Sequence, residues 1–214
     1  MKQALMTLLA KPDQLFIENW RAIILWNVDY KALSLVFAQR LKRDGHNIVN
    51  ETQSAFMSGR HISNNIRFRL DLLDFSDKIE AAALIVFLDF YKAAKDTIEQ
   101  QFIFKALQAF AFGEKFISTI QMFDKDINSR VVLEPFTSKR FSVQRSVRQG
   151  RPVSPFLFVM VTELWSRSSL NTPKIQAPSI LNREIRVSQL ADDPEWFLQN
   201  KKQLEAANSH KHQV

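Results

Sequence analysis

The stretch Ile185-Arg-Val-Ser-Gln-Leu-Ala191-Asp192-Asp193-Pro-Glu-Trp-Phe-Leu198 decides how this chain is read. Ile185 and Val187 alternate with Arg186 and Ser188, the period-2 pattern of a half-buried strand, and a second apolar run follows from Trp196 to Leu198. Two adjacent carboxylates lie between them. The pattern predicts a β-hairpin with acid at its tip, although aspartate is also an ordinary turn former and the pair alone identifies nothing.

Working outward, the residue that gives the pair meaning is Asp89, which ends the most apolar run in the chain, Ala81-Ala-Ala-Leu-Ile-Val-Phe-Leu88. Continuous apolar character over about eight residues, β-branched in its middle, predicts a strand buried on both faces, with Asp89 where it meets solvent. If the hairpin pairs beside this strand, Asp89 and Asp192 come onto one edge. Carboxylates gathered in a partly buried site repel one another unless a cation neutralises them. Hard oxygen donors suit Mg²⁺, and a pair of such ions can hold the attacking and leaving oxygens of an in-line phosphoryl transfer. Side chains alternate along a strand, so Asp192 and Asp193 cannot both face Asp89 equally well, and Asp192 is taken as the nearer ligand.

A third stretch, Ser146-Val-Arg148-Gln149-Gly150-Arg151-Pro152-Val-Ser154-Pro155, leads into an apolar run ending at Trp165. Ser154 as N-cap and Pro155 at the first helical position predict a helix with Leu157, Met160, Val161, Leu164 and Trp165 on one face. The plain reading is a Gly-Pro loop before a core helix. The functional reading is a close backbone approach at Gly150, flanked by Arg148 and Gln149 as donors to a nucleotide.

Composition sets the bounds. The 214 residues, 46% hydrophobic, suffice for one sizeable core or part of a larger one. Twenty-nine basic against 22 acidic residues give +7 and a pI near 9.7, which favours a polyanionic partner without identifying it. With no cysteine there are no disulfides or thiolate metal sites, and His46, His61, His210 and His212 form no zinc pattern. No run reaches the roughly 18 apolar residues of a membrane helix. Lys11-Pro12 stands where a signal peptide would carry small residues for cleavage, so the expectation is an intracellular chain, in nucleus or cytoplasm and not secreted.

Along the chain, Leu33, Val36, Phe37, Arg40 and Leu41 recur at helical spacing over 30–43, with Gly45 as a stop. A loop carries Gln53-Ser-Ala-Phe-Met-Ser-Gly59-Arg60. Helices are predicted from Ile62 to about Ile79 and over about 97–110 and 114–124, with short strands near Val131 and Phe141. Helices packed on a small sheet make the class α/β or α+β.

In order, Lys11-Pro12, Asn19-Trp20-Arg21, Gln53-Ser-Ala-Phe with Gly59-Arg60, Leu88-Asp89-Phe90-Tyr91-Lys92-Ala93, Arg148-Gln149-Gly150 with Pro152 and Ser154-Pro155, and Ala191-Asp192-Asp193 resemble the reverse transcriptase of non-LTR retrotransposons of the long interspersed element type. The resemblance spans about residues 8–200. It implies the fingers and palm of a right-hand polymerase that copies RNA, and DNA, into DNA: a fingers-like part over 1–80, a palm-like part with a small antiparallel sheet over 81–200, and a polar tail over 201–214. By the same resemblance Asp89 and Asp192 hold two Mg²⁺ ions, with Asp193 beside them. Lys11 and Arg21 match positions that meet the incoming triphosphate, where a guanidinium suits bidentate contact with phosphate. Gln149 and Gly150 match the loop over nucleotide and template. RNA template, DNA primer and dNTP are the implied partners, together with the thumb and endonuclease parts of a parent polyprotein, since only about 20 residues follow Asp193.

Departures from the family pattern accompany the matches. Ala94 and Lys95 stand where the family has an aromatic sugar gate followed by a second Asp, and Asp96 comes one residue late. Arg151 replaces a Cys or small residue, which predicts a long cation close to the nucleotide loop. Pro194 follows the carboxylate pair where Thr is common, and proline gives no ladder hydrogen bond, so the returning strand is expected to be weakened or displaced. Ala22 stands in place of a proline. Three readings follow: a working RNA-directed DNA polymerase; a truncated, decayed remnant without turnover, which the departures favour; and a non-catalytic nucleic-acid-binding module resting on the +7 charge and on Arg40, Lys42, Arg43, Arg60, Arg67 and Arg69.

Overall fold

A computed structural model describes residues 3–9, 16, 20–79, 84–88, 98–143, 147–171, 177–180, 183–184 and 186–204. The chain divides into two compact units, each drawn from two separated segments: Met1–Leu41 with Ala94–Leu157, and Lys42–Ala93 with Phe158–Val214.

In the first unit β1 (Gln3–Leu9) and β2 (Arg21–Trp26) form an antiparallel pair, so the short apolar run near the N-terminus is a strand. Helix α1 (Val28–Asp44) turns Tyr30, Ser34, Ala38 and Leu41 inward, a spacing of four, four and three that keeps one stripe on the core. The core is completed by Ile103, Ala106 and Leu107 of α3 (Gln100–Ala109) and by Ile117, Ile120 and Phe123 of α4 (Glu114–Asp124). The ring of Phe123 meets those of Tyr30 and Phe37 edge-on at 5.4 and 5.7 Å. Strand β4 (Asn128–Leu133) runs parallel to β1, with Ala4 opposite Ser129, and carries the two-residue strands β5 (Phe136–Thr137) and β6 (Phe141–Ser142). Helices α1, α3 and α4 and the strands at Val131 and Phe141 lie where the sequence predicts them.

The second unit holds helix α2, which begins immediately after the 53–60 loop (Ile62–Lys78), and a sheet in which β10 (Asp193–Leu198) lies between β3 (Leu84–Phe87) and β9 (Val187–Leu190). Its core gathers Leu88, Trp165, Val187, Trp196 and Leu198, with Leu84, Val86 and Leu204 against them. Trp165 and Trp196 stack with centroids 5.5 Å apart. On the opposite face of β10, Phe197 packs edge-on against Phe68 of α2. The strand buried on both faces is therefore β10 rather than β3. Strand β10 is paired on both sides, whereas the described residues pair β3 on one side, and Phe87 is 66% exposed under the Arg69 guanidinium. Residues 81–83 lie outside the described residues.

Helix α5 (Ser154–Leu170) starts at the predicted serine but is not amphipathic. Val159, Glu163 and Ser166 are as buried as Leu157, and Leu164, assigned to the core face, is only half-buried. An apolar helix covered all round belongs to an interior, and only tertiary packing distinguishes it from a surface helix. A minor ladder joins β7 (Ser179–Ile180) to β8 (Arg183–Glu184).

Candidate active site

The predicted hairpin is present. Strands β9 and β10 close on the pair Leu190–Asp193, leaving Ala191 and Asp192 as a two-residue loop. Ala191 has φ 57°, a left-handed conformation that two-residue hairpin loops require and that non-glycine residues adopt at a cost. Asp192 is half-buried and Asp193 exposed. Strand β10 pairs antiparallel with β3, Glu195 opposite Phe87, and the Leu88 N–H donates to the Pro194 carbonyl at 2.9 Å. The hairpin thus lies beside the strand that leads to Asp89; Asp89 itself, with the 89–97 segment that carries the departures at Ala94 and Lys95, lies outside the described residues.

Pro194 does not displace the returning strand. Gln189, opposite it, points its N–H and C=O away from β10, to the Thr52 carbonyl and the Ser54 N–H at 2.9 and 3.0 Å. The Pro194 carbonyl accepts from Leu88, so its absent N–H would face the β3 side, and the pairing with β9 loses no bond at this position.

The Gln53-Ser-Ala-Phe loop, which the sequence shows only as a motif, braces this hairpin. The Gln53 side chain has no exposed surface. Its Oε1 accepts from the N–H groups of Ala55 and Ala191, both at 3.0 Å, and its Nε2 donates to Gln189 Oε1 at 3.3 Å. Buried Asn65 of α2 donates to Ser188 Oγ and to the Gln189 carbonyl, each at 2.9 Å, and accepts from the Ser54 hydroxyl. The Arg60 guanidinium donates to the carbonyls of Val49, Asn50 and Gln53. Beyond the turn, Glu195 sits 3.2 Å from Arg69. Burial pushes its carboxyl up; Arg69 opposes the shift, and the nearby Asp193 charge adds to it.

The other anticipated residues belong to the first unit. Lys11 lies outside the described residues, and Arg21 opens β2 opposite Leu9. Gln149 is exposed, and its carbonyl accepts from the Trp26 indole N–H at 2.9 Å. Gly150 has φ 78°, and a Cβ there would meet the Ile24 carbonyl at 2.7 Å, so the close approach at this glycine is to the protein's own β2. Arg148 and Arg151 do not reach toward a nucleotide, since both are buried. Arg151 donates to Asp124 at 2.7 Å, to Ser154 at 3.0 Å and to the Tyr30 hydroxyl at 3.4 Å. Arg148 donates to the Val143 carbonyl and lies 3.7 Å from Asp124. Burial lowers the Arg148 pKa against the pull of Asp124, and it raises that of Tyr30. The physical reason is Asp124: a buried carboxylate draws the cations inward, because an interior charge is tolerated only when paired.

Among the described residues no group of three or more His, Asp or Glu is set to hold a metal ion. The two carboxylates of the hairpin offer the hard oxygen donors that divalent cations take. Among the described residues no helix is long and apolar enough to cross a membrane.

The sequence matches the reverse transcriptase (RNA-dependent DNA polymerase) family over residues 9–213. It is 29% identical over 163 residues to the transposon TX1 uncharacterized 149 kDa protein of Xenopus laevis, covering 76% of this chain and 12% of that protein. The structure of apo telomerase from Candida tropicalis, truncated from its C-terminal domain, is similar with a TM-score of 0.64 at 13% identity, covering 98% of this chain and 46% of that one. The telomerase likeness is one of fold: mixed helices and small sheets in a partial polymerase architecture, as the sequence led us to expect. In both comparisons this chain spans a minor part of the larger protein's length. The chain belongs to the reverse transcriptase family, and its transposon relative bears out the retrotransposon type that its motifs resemble.

Proposed function

We propose that this chain is the nucleotidyl-transfer part of an RNA-directed DNA polymerase of the non-LTR retrotransposon type, extending a DNA primer on an RNA template from deoxynucleoside triphosphates. One observation carries the reading: β10 pairs with β3 in a register that brings Pro194, next to the Asp192–Asp193 tip, opposite Leu88, the residue before Asp89. Asp89 and Asp192 would hold two Mg²⁺ ions, with Asp193 beside them. Such ions, when bound, neutralise the transferring phosphate and the oxygens on either side of it. The primer 3′ oxygen forms a bond to the α-phosphorus while the bond to pyrophosphate breaks, and the protein contributes position and charge rather than covalent chemistry. Lys11 and Arg21 would meet the triphosphate, Gln149 and Gly150 the nucleotide and template. Residues 1–80 serve as the fingers-like part and 81–200 as the palm-like part, while thumb and endonuclease functions come from elsewhere in a parent polyprotein.

A binding module without turnover is the second reading, favoured by the exposed Arg40, Lys42, Arg43 and Arg67. It has fewer cations to draw on than the sequence suggests, because Arg60 is taken up by loop carbonyls and Arg69 by Glu195.

Primer extension on an RNA template with Mg²⁺ and four deoxynucleotides tests the proposal, comparing the chain with Asp192→Ala and with a variant whose 94–96 segment is returned to Phe-Asp. Extension that Asp192→Ala abolishes supports the polymerase. Its absence from a folded chain leaves a remnant or a binding module, and the latter is marked by binding that needs no Mg²⁺ and weakens steeply with salt. Rescue by the restored segment would trace the silence to the inserted residue.

A further inference from the structure

The turn that carries Asp192 is tied to a loop 138 residues earlier in the chain. Ala191 is held in a left-handed conformation that alanine does not favour, so the turn needs support from outside its own two strands. The support comes from Gln53, whose Oε1 accepts the Ala191 N–H at 3.0 Å. That oxygen cannot swing away freely, because the same atom accepts from Ala55, the amide donates to Gln189, and the side chain is fully enclosed. The loop behind it is fixed as well. Thr52 and Ser54 pair their backbone with Gln189, Arg60 gathers the carbonyls of Val49, Asn50 and Gln53, and Asn65 fastens Ser188 and Gln189 from α2.

We infer that Gln53 is a positioning residue for Asp192: by carrying the Ala191 N–H it sets the turn on which that carboxylate is mounted, with Asn65 and Arg60 holding Gln53 and its loop in place. What Asp192 then does rests on the polymerase reading above; the geometry of the turn does not. A glutamine that only satisfied buried polar groups would affect stability. A positioning residue also affects how tightly the carboxylate edge holds a divalent cation.

Two measurements on the whole chain separate these roles, using Gln53→Met, which keeps the volume and loses the acceptor, and Gln53→Glu, which keeps an acceptor oxygen. By hydrogen exchange, the Ala191 amide of the unaltered chain is expected to be protected although it lies in a turn. Gln53→Met speeds its exchange about tenfold or more, while the Trp196 and Phe197 amides keep their rates, and Gln53→Glu restores protection. By titration with Mn²⁺, followed through water proton relaxation, Gln53→Met raises the dissociation constant about 10- to 100-fold, the range found when support behind a metal ligand is removed, and Gln53→Glu recovers most of it. An Ala191 amide that exchanges at the solvent rate in the unaltered chain overturns the inference without any variant, and so decides the matter should Gln53→Met fail to fold. Faster exchange with unchanged Mn²⁺ affinity also overturns it, leaving Gln53 a structural residue. Failure of the polymerase reading is a distinct outcome: Mn²⁺ binding that Asp192→Asn does not diminish, with the exchange data still deciding whether Gln53 holds the turn.

Discussion

Replacing Asp124 by alanine probes the buried charges of the first unit. Oδ1 of Asp124 lies 2.7 Å from Nη1 of Arg151 and 3.7 Å from Nε of Arg148, and the three side chains are at most 3% exposed. Removing the carboxylate takes the counter-charge from the buried Arg151 guanidinium and a nearby charge from Arg148. Breaking a buried pair from one side costs about 3–5 kcal/mol, a large part of the roughly 5–15 kcal/mol that holds a domain folded. With a urea slope of about 2–3 kcal/mol/M, the midpoint is expected to fall by about 1–2 M. Intrinsic fluorescence suits the assay, because Trp26 stacks on Tyr30 at 4.8 Å and Tyr30 touches the cluster. Asp44→Ala is the control, since its pair with Arg43 is exposed and is worth at most about 1 kcal/mol. Adding Arg151→Met to Asp124→Ala removes one orphaned cation and should recover about 1–3 kcal/mol of the loss. A cost below about 1 kcal/mol for Asp124→Ala, with an unchanged slope, refutes the claim that these cations are paired in the interior.

Further expectations concern single sites. Gly150→Ala forces a Cβ against the Ile24 carbonyl in a left-handed conformation; at about 1–2 kcal/mol for the backbone alone, thermal unfolding should begin at least about 2–4 °C lower. Trp196→Ala removes the stacked partner of Trp165 from a fully buried position, and urea unfolding should show a loss of about 3–5 kcal/mol with collapse of the near-ultraviolet tryptophan signal. Burial holds the Glu163 carboxyl above its ordinary 4.5 despite the Arg167 pair. A carboxyl raised in the fold contributes stability in its protonated form, fully present below about 4.5 and lost as pH rises through the folded value. Urea series across that window should therefore show Glu163→Gln losing less stability than the parent, and parallel pH profiles would contradict the raised value.

Much of the fold is legible residue by residue. Helical spacing from Leu33 to Leu41, the uninterrupted pattern after Ile62 and the alternation around Val187 each announce an element, because periodicity is a local property that the chain carries wherever it packs. The same holds for the acid at the hairpin tip. Burial was less legible. The run ending at Leu88 has the composition of a strand covered on both faces, yet that place belongs to β10, whose Trp196, Phe197 and Leu198 are all fully buried. Apolar composition states that a segment will be covered somewhere, and sheet order decides which strand gets two covered faces.

The candidate site divides in the same way. Residue chemistry offers Asp89, Asp192 and Asp193 as hard oxygen donors, and the ordered set of motifs that resembles the family, not the carboxylates alone, singles them out. The fates of Arg148, Arg151 and Gln53 could not be read this way. A guanidinium beside a glycine loop suits a phosphate as well as a buried aspartate, and only folding brought Asp124 within 2.7 Å of Arg151. A glutamine in a loop has no periodicity to betray it, and its bond to Ala191 spans 138 residues. The sequence by itself determined where the helices and the acidic hairpin form, because periodicity and turn chemistry are local. Tertiary structure alone decided which charges are neutralised in the interior and what holds the acidic turn, because those depend on partners that meet only when distant segments pack together.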